Sequence, residues 1–126
     1  AGPLRPDESP NPLPYLSGAT SAYDITVEVR VNGELFGRSS SRDLYWTFGQ
    51  LITHHTSNGC NLRPGDLLAS GTISGAGPES LGCLLEMKRE FLKDGDVVTM
   101  RAYAARSGLP RIGFGECIGV VISRDL

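Results

Sequence analysis

The clearest alternation of apolar and polar positions in the chain runs from Asp24 to Val31. Ile25, Val27, Val29 and Val31 alternate with Asp24, Thr26, Glu28 and Arg30. A period of two places successive side chains on opposite faces of a strand, here one dry and one wet. Asn32-Gly33 follows, a pair that favours the tight type I′ hairpin turn, so segment 34–39 is expected to return alongside. The period then changes. Leu44, Phe48, Leu51, Ile52 and His55 recur on one face of a 3.6-residue repeat, which predicts a single helix. Ser41 or Asp43 is placed to cap its start. Asn58-Gly59 is placed to end it through a left-handed residue.

Beyond the helix the pattern reads as short strands between turns. Arg63-Pro64-Gly65-Asp66 is a turn in which Pro fixes φ and Gly supplies positive φ. Segment 67–73 is expected as a strand, 75–82 as a loop and 83–88 as a second strand. Lys93-Asp94-Gly95-Asp96 turns into a strand over 97–104. Ser107-Gly108 and Pro110 turn into another over 111–122. One helix with about seven strands predicts a mainly β fold, a β-roll or distorted sandwich. Prolines at 3, 6, 10, 12 and 14 forbid regular helix. Residues 1–22 therefore read as a lead-in or linker from a missing upstream part, and 23–126 as the folded domain. Pro12-Leu13-Pro14-Tyr15-Leu16 can still dock as an extended segment.

Composition narrows the function classes. At 126 residues the chain is one ordinary domain, large enough to bury a core. The net charge is −2 and the basic residues are scattered, so no electrostatic footprint for nucleic acid is expected. The longest apolar run, Ile118 to Ile122, is strand-sized, far short of the ~20 residues of a membrane-spanning helix. The three cysteines, Cys60, Cys83 and Cys117, are widely spaced and odd in number. They form a poor disulfide framework and read as buried free thiols in a reducing compartment, hence a cytoplasmic location.

Candidate chemistry is sparse. Gly71-Thr72-Ile73-Ser74-Gly75 follows an expected strand and carries little side-chain bulk. Its hydroxyls and bare backbone could approach a carboxylate or phosphate closely; a plain flexible turn is the competing reading. Glu86 lies within the apolar run 83–87. If it faced a cleft, it could orient a histidine or hold a water; otherwise it is an ordinary solvated carboxylate. His54 and His55 diverge by about 100° on a helix and cannot easily share one ion. Gly113-x-Gly115-x-x-x-Gly119 leads into a Val-rich strand, which rejects a dinucleotide fingerprint and favours a bulged strand. Neither a catalytic triad nor a paired-Cys zinc spacing emerges.

The unbroken run Asn58-Gly59-Cys60-Asn61-Leu62-Arg63-Pro64-Gly65-Asp66-Leu67-Leu68-Ala69-Ser70-Gly71-Thr72-Ile73-Ser74-Gly75 closely resembles the C-terminal portion of the fumarylacetoacetase family. So do Leu84-Leu85-Glu86, Asp94-Gly95-Asp96-Val97 and Arg111-Ile112-Gly113-Phe114-Gly115-Glu116-Cys117. The resemblance implies a β-roll domain of a homodimeric enzyme. That enzyme hydrolyses a carbon–carbon bond in a β-diketo acid, releasing fumarate and acetoacetate in tyrosine and phenylalanine breakdown. It implies a divalent ion, Mg²⁺ or Ca²⁺. It maps Thr72 to contact with the substrate carboxylate, with Gly71 and Ser74 as weaker candidates on the same loop. It maps Glu86 to the residue that holds the catalytic His. The family's metal-binding carboxylates, general-base His and oxyanion-stabilising Lys have no counterpart here; His54 and His55 match helix histidines of the family. The passage from Met87 to Phe91 is shorter than the loop of the eukaryotic enzymes. Two other readings stay open: a non-catalytic β-roll module for dimerisation or binding, and a hydratase, isomerase or decarboxylase of the same superfamily acting on a related keto acid.

Overall fold

A computed structural model describes residues 2, 3, 12–17 and 21–123. Two residues of the lead-in, Gly2–Pro3 (β1), pair antiparallel with Ser21–Ala22 (β2). The main sheet has four strands: Thr26–Val31 (β3), Glu34–Ser40 (β4), Val97–Ala104 (β5) and Ile112–Val120 (β6). Their order is β4-β3-β5-β6, with every neighbouring pair antiparallel. The helix is Phe48–Thr56 (α1). The mainly β class with one helix is therefore borne out.

The alternation read in β3 sets the two faces of the sheet. Val29 lies opposite Met100 and Val31 opposite Val98, which makes one face apolar. On the other face Arg38, Glu28, Arg101 and Glu116 lie side by side across all four strands. Arg38 donates to Glu28 Oε1 through Nε at 2.9 Å and through Nη2 at 2.8 Å, and Arg101 pairs with Glu116. Opposite charges directly across an antiparallel ladder reinforce its register. Positive φ at both Asn32 and Gly33 is the geometry expected of the hairpin turn. One residue of β4, Phe36, is bulged, because the partner of β3 jumps from Gly37 to Leu35 between Val29 and Arg30. The glycine pattern at the end of the chain is also a bulge, as expected. Arg101 faces Glu116 but Tyr103 faces Gly113, so β6 carries an extra residue where Gly115 takes φ +81°, which glycine reaches without a Cβ clash.

Three expectations are corrected. Segment 67–73 forms no strand, and Leu67 is 97% exposed. Segment 83–88 is a coiled turn and not a strand: the amides of Met87, Lys88 and Arg89 donate to the carbonyls of Cys83, Leu85 and Leu84, and Lys88 adopts φ +53°. A short apolar run such as 83–87 fits a buried strand and a helical turn equally well, and here local hydrogen bonds decide. Finally, the helix begins at Phe48, with Thr47 as its cap in place of Ser41 or Asp43. Ser41–Asp43 instead forms a 3-10 turn capped by Ser40. Gly59 ends the helix at φ +86°, with its amide on the Thr56 carbonyl at 3.0 Å.

The helix start also anchors the lead-in. Gln50 N–H donates to Thr47 Oγ1 at 3.2 Å and Thr47 N–H donates to Gln50 Oε1 at 2.9 Å, a reciprocal capping box. Gln50 Nε2 donates to the Leu16 carbonyl at 3.3 Å, and Gln50 is only 2% exposed. The Pro-rich segment thus docks as a short 3-10 turn, Pro14–Leu16, with Leu16 buried. Tyr15 meets His54 Nδ1 at 3.0 Å on the same surface.

Leu16 and Val31 are the buried apolar side chains among the described residues, whereas Ile112, Phe114 and Ile118 of edge strand β6 are 63%, 58% and 59% exposed. Two of the three cysteines, Cys60 and Cys117, are exposed free thiols and Cys83 is half-buried, so the expectation of buried thiols is corrected as well. With so little apolar burial, polar anchors matter more. Gln50→Ala should lower stability by about 1–3 kcal/mol, because the Thr47 amide and the Leu16 carbonyl both lose a buried partner. Gln50→Glu should not restore it, since a carboxylate turns an acceptor toward that carbonyl. Urea denaturation of the three proteins checks this.

Candidate active site

The segment around the Gly-Thr-Ile-Ser-Gly run is held in place at both ends. The Gly75 amide donates to the Ser80 carbonyl at 2.8 Å. Ser80 closes the next turn on itself, with its hydroxyl donating to the Gly77 carbonyl at 2.8 Å and its amide to the same oxygen at 3.0 Å. On the other side the run lies against the start of the coiled turn 83–88. A methyl group at Gly82 would fall 2.5 Å from Thr72 Cγ2, 2.6 Å from the Ile73 carbonyl oxygen and 2.8 Å from Ser74 Oγ. Gly82 has no side chain to prevent that approach.

The approach brings three polar groups together. Ser74 Oγ donates to Glu86 Oε2 at 2.7 Å. The Gly82 amide donates to the same carboxylate oxygen at 2.9 Å and lies 3.2 Å from Ser74 Oγ. Glu86 is four residues beyond Gly82, so one coiled turn returns the carboxylate to its own N-terminal amide. The Ser74 hydroxyl, and then the Gly82 amide, hold the Glu86 carboxyl below the usual carboxylate range; desolvation opposes this and hydrogen bonds from Cys83 add to it. Donors aimed at a carboxylate favour its anion. The sign follows. The folded value is the lowered one, so the two bonds to the anion are fully present above the ordinary carboxyl range and are lost as pH falls through the lowered value.

Thr72, Ser74 and Glu86 are thus brought into one cluster through Gly82. Thr72 and Gly71 are exposed at the mouth of an open cavity of about 550 Å³ between the loops and the apolar face of the sheet. Ser74 and Glu86 do not line that cavity, whose walls include Val27, Val29, Leu84, Leu85 and Met100. Those walls are mostly apolar, with Thr72 and Ser39 supplying hydroxyls among them, and the carboxylate lies with Ser74 beside the cavity. The helix histidines stand apart from it: His54 bonds Tyr15, and His55 Nε2 lies 3.4 Å from Cys60 Sγ. Among the described residues no group of three or more His, Cys, Asp or Glu could hold a metal ion. Glu86 itself faces N–H and O–H donors, the opposite of a cation's needs.

Residues 4–122 match the family model described as fumarylacetoacetate (FAA) hydrolase, C-terminal. The chain belongs to this family. Fumarylacetoacetase of Bos taurus is 45% identical over 139 residues, covering 94% of this chain and 33% of the relative. The Homo sapiens fumarylacetoacetase is 44% identical over the same shares, and that of Arabidopsis thaliana 42% identical over 96% of this chain and 33% of the relative. The chain spans about a third of the length of the curated relatives it matches. The aligned stretch of 139 positions is longer than this 126-residue chain, so these hydrolase relatives hold residues for which it has none.

The loop and Glu86 meet through Gly82, which the sequence pattern leaves as a mere element boundary. The spacing Gly82-x-x-x-Glu86, one helical turn, is the signal that could have found it. Gly82→Ala should force the loop away from the turn, lowering stability by about 1–3 kcal/mol. It should also return the Glu86 titration toward the ordinary carboxyl range. Denaturation combined with carboxyl NMR checks both, and a wild-type titration in a folded Gly82→Ala protein would contradict the close approach.

Proposed function

We propose that this chain supplies one wall of the active site of an enzyme that hydrolyses fumarylacetoacetate to fumarate and acetoacetate, in tyrosine and phenylalanine catabolism. The observation that carries the reading is the Glu86 carboxylate, fixed on Ser74 and Gly82 beside a loop that presents Thr72. Glu86 accepts a hydrogen bond from the imidazole N–H of a histidine outside this chain. That fixes the ring and favours its protonated form, so its other nitrogen can take a proton from water. The water oxygen bonds to the carbonyl carbon, the carbon–carbon bond breaks, and its electron pair leaves as an enolate that is protonated to acetoacetate. Thr72 and Gly71 hold the substrate carboxylate during this step.

The divalent ion expected of the family, Mg²⁺ or Ca²⁺, is held by residues outside those described; when bound it polarises the diketone oxygens. The uncovered apolar edge at β6 supports a homodimer in which further protein packs on this face. The enzyme is placed in the cytoplasm, in keeping with three free thiols. No helix among the described residues is long and apolar enough to cross a membrane. The match over residues 4–122 to a family described as a hydrolase favours the enzyme over a non-catalytic module.

In the full-length enzyme Glu86→Gln should lower kcat on fumarylacetoacetate by about 10²–10⁴-fold with little change in KM. Undiminished turnover would overturn the reading. Thr72→Val should instead raise KM by roughly 10–100-fold, the loss of one hydrogen bond to a charged group. Steady-state kinetics on the two variants separates orientation of the base from substrate binding.

A further inference from the structure

We propose that Ser74 is a positioning residue that acts through Glu86 and does not touch the substrate. The inference rests on the reading of Glu86 as the partner of a catalytic histidine. Four observations carry it. The Ser74 hydroxyl has one proton, and at 2.7 Å that proton is committed to Glu86 Oε2. The oxygen of the same hydroxyl lies 3.2 Å from the Gly82 amide, so its acceptor side is also engaged. Ser74 is half-buried, whereas Thr72 two residues earlier is exposed. Both side chains lie against Gly82, but Thr72 meets it with its methyl group and lines the cavity, while Ser74 Oγ bonds the carboxylate and does not line it.

The consequence is a division of labour on one short loop. A carboxylate has about four acceptor positions. Ser74 and Gly82 occupy Oε2, so the plane of the carboxylate is fixed before any imidazole arrives. On this proposal the histidine meets Oε1, the oxygen to which neither Ser74 nor Gly82 donates. Gly82 cannot provide this alone, because its amide fixes a point and not a plane. A second donor, on a different segment, removes the remaining rotation. Ser74 therefore ties the substrate loop to the residue that orients the base, so that a shift of one is felt by the other.

The test uses the full-length enzyme and the variants Ser74→Ala, Glu86→Gln and the double variant, with Ser74→Thr as a second replacement that keeps the hydroxyl. Ser74→Ala is expected to lower kcat about tenfold, the loss of one charge-assisted hydrogen bond, with KM unchanged within about twofold. In the Glu86→Gln background the same change should cost nothing further, because the two residues act as one unit. The Glu86 carboxyl, followed by ¹³C NMR, should titrate at higher pH in Ser74→Ala and as in the wild type in Ser74→Thr. A rise in KM at constant kcat would overturn the proposal in favour of a substrate contact. An additive loss in the double variant, or an unmoved carboxyl titration, would overturn it too. If Glu86→Gln alone leaves kcat intact, the reading of Glu86 fails. The carboxyl titration then still decides whether Ser74 holds Glu86.

Discussion

A methyl group on residue 82 would occupy the space of Thr72 Cγ2, the Ile73 carbonyl and Ser74 Oγ at once. Close-packed interiors give way to a new methyl group only by moving backbone or forcing side chains off their rotamers. Because Gly82 has none, the loop and the coiled turn meet at hydrogen-bonding distance, and every feature of the rim depends on that meeting. Ser74 reaches Glu86, the Gly82 amide reaches the same oxygen, and Thr72 is left exposed. The Ser74 hydroxyl and the Gly82 amide, with Cys83 adding to them, hold the carboxyl below the usual range. An arginine would do so too, but would compete with an imidazole for the same lone pairs.

The sheet supplies the base on which that meeting happens. Its apolar face, set by Val27, Val29 and Val31 in β3, backs the loops, and its charged face runs as Arg38, Glu28, Arg101 and Glu116 across the strands. A one-residue slip would exchange the two faces, so the charge ladder and the valines specify the same register. Gly37 in β4 contributes to the packing: the space where its side chain would be is taken by the Leu81 carbonyl and the Met87 methyl. Leu81 is the neighbour of Gly82, so the same sheet position that seats the turn also places the rim. The open cavity between sheet and loops is lined mostly by apolar residues, and the apolar side chains Ile112, Phe114 and Ile118 of β6 are exposed at the sheet edge.

How much of this could be read from the residues alone depended on whether the signal was local. The hairpin at Asn32-Gly33, the register of β3 and the bulge in β6 are written in strict alternation and in glycines with required φ. Those elements appear as expected. The helix was found but its start was misplaced by several residues. The apolar period extends back to Leu44, whereas the boundary is set by polar chemistry, Thr47 with Gln50 three residues on. Segments 67–73 and 83–88 look like strands because they are apolar. A strand needs a partner, and no local pattern says whether one is within reach.

The candidate site divides along the same line. The loop carrying Thr72 and the carboxylate of Glu86 are candidates from the residues alone, but their specific roles follow only from resemblance to a family, and nothing in their spacing fixes a role. Ser74 was the weaker candidate on the loop because a serine in a Gly-rich turn reads as one more hydroxyl facing solvent. What changes its meaning is a contact with a residue twelve positions away, and that contact exists only because 83–86 coils. Read as a strand, 83–87 would send Cys83, Leu85 and Met87 to one face and Leu84 and Glu86 to the other, and Glu86 could not return to the Gly82 amide. The strand expected over 83–88 and the missing partner of Ser74 therefore have one cause. A carboxylate four residues after a glycine, on a turn short enough to close on itself, is the arrangement that lets a single amide and a single hydroxyl hold a charged side chain at an exposed rim.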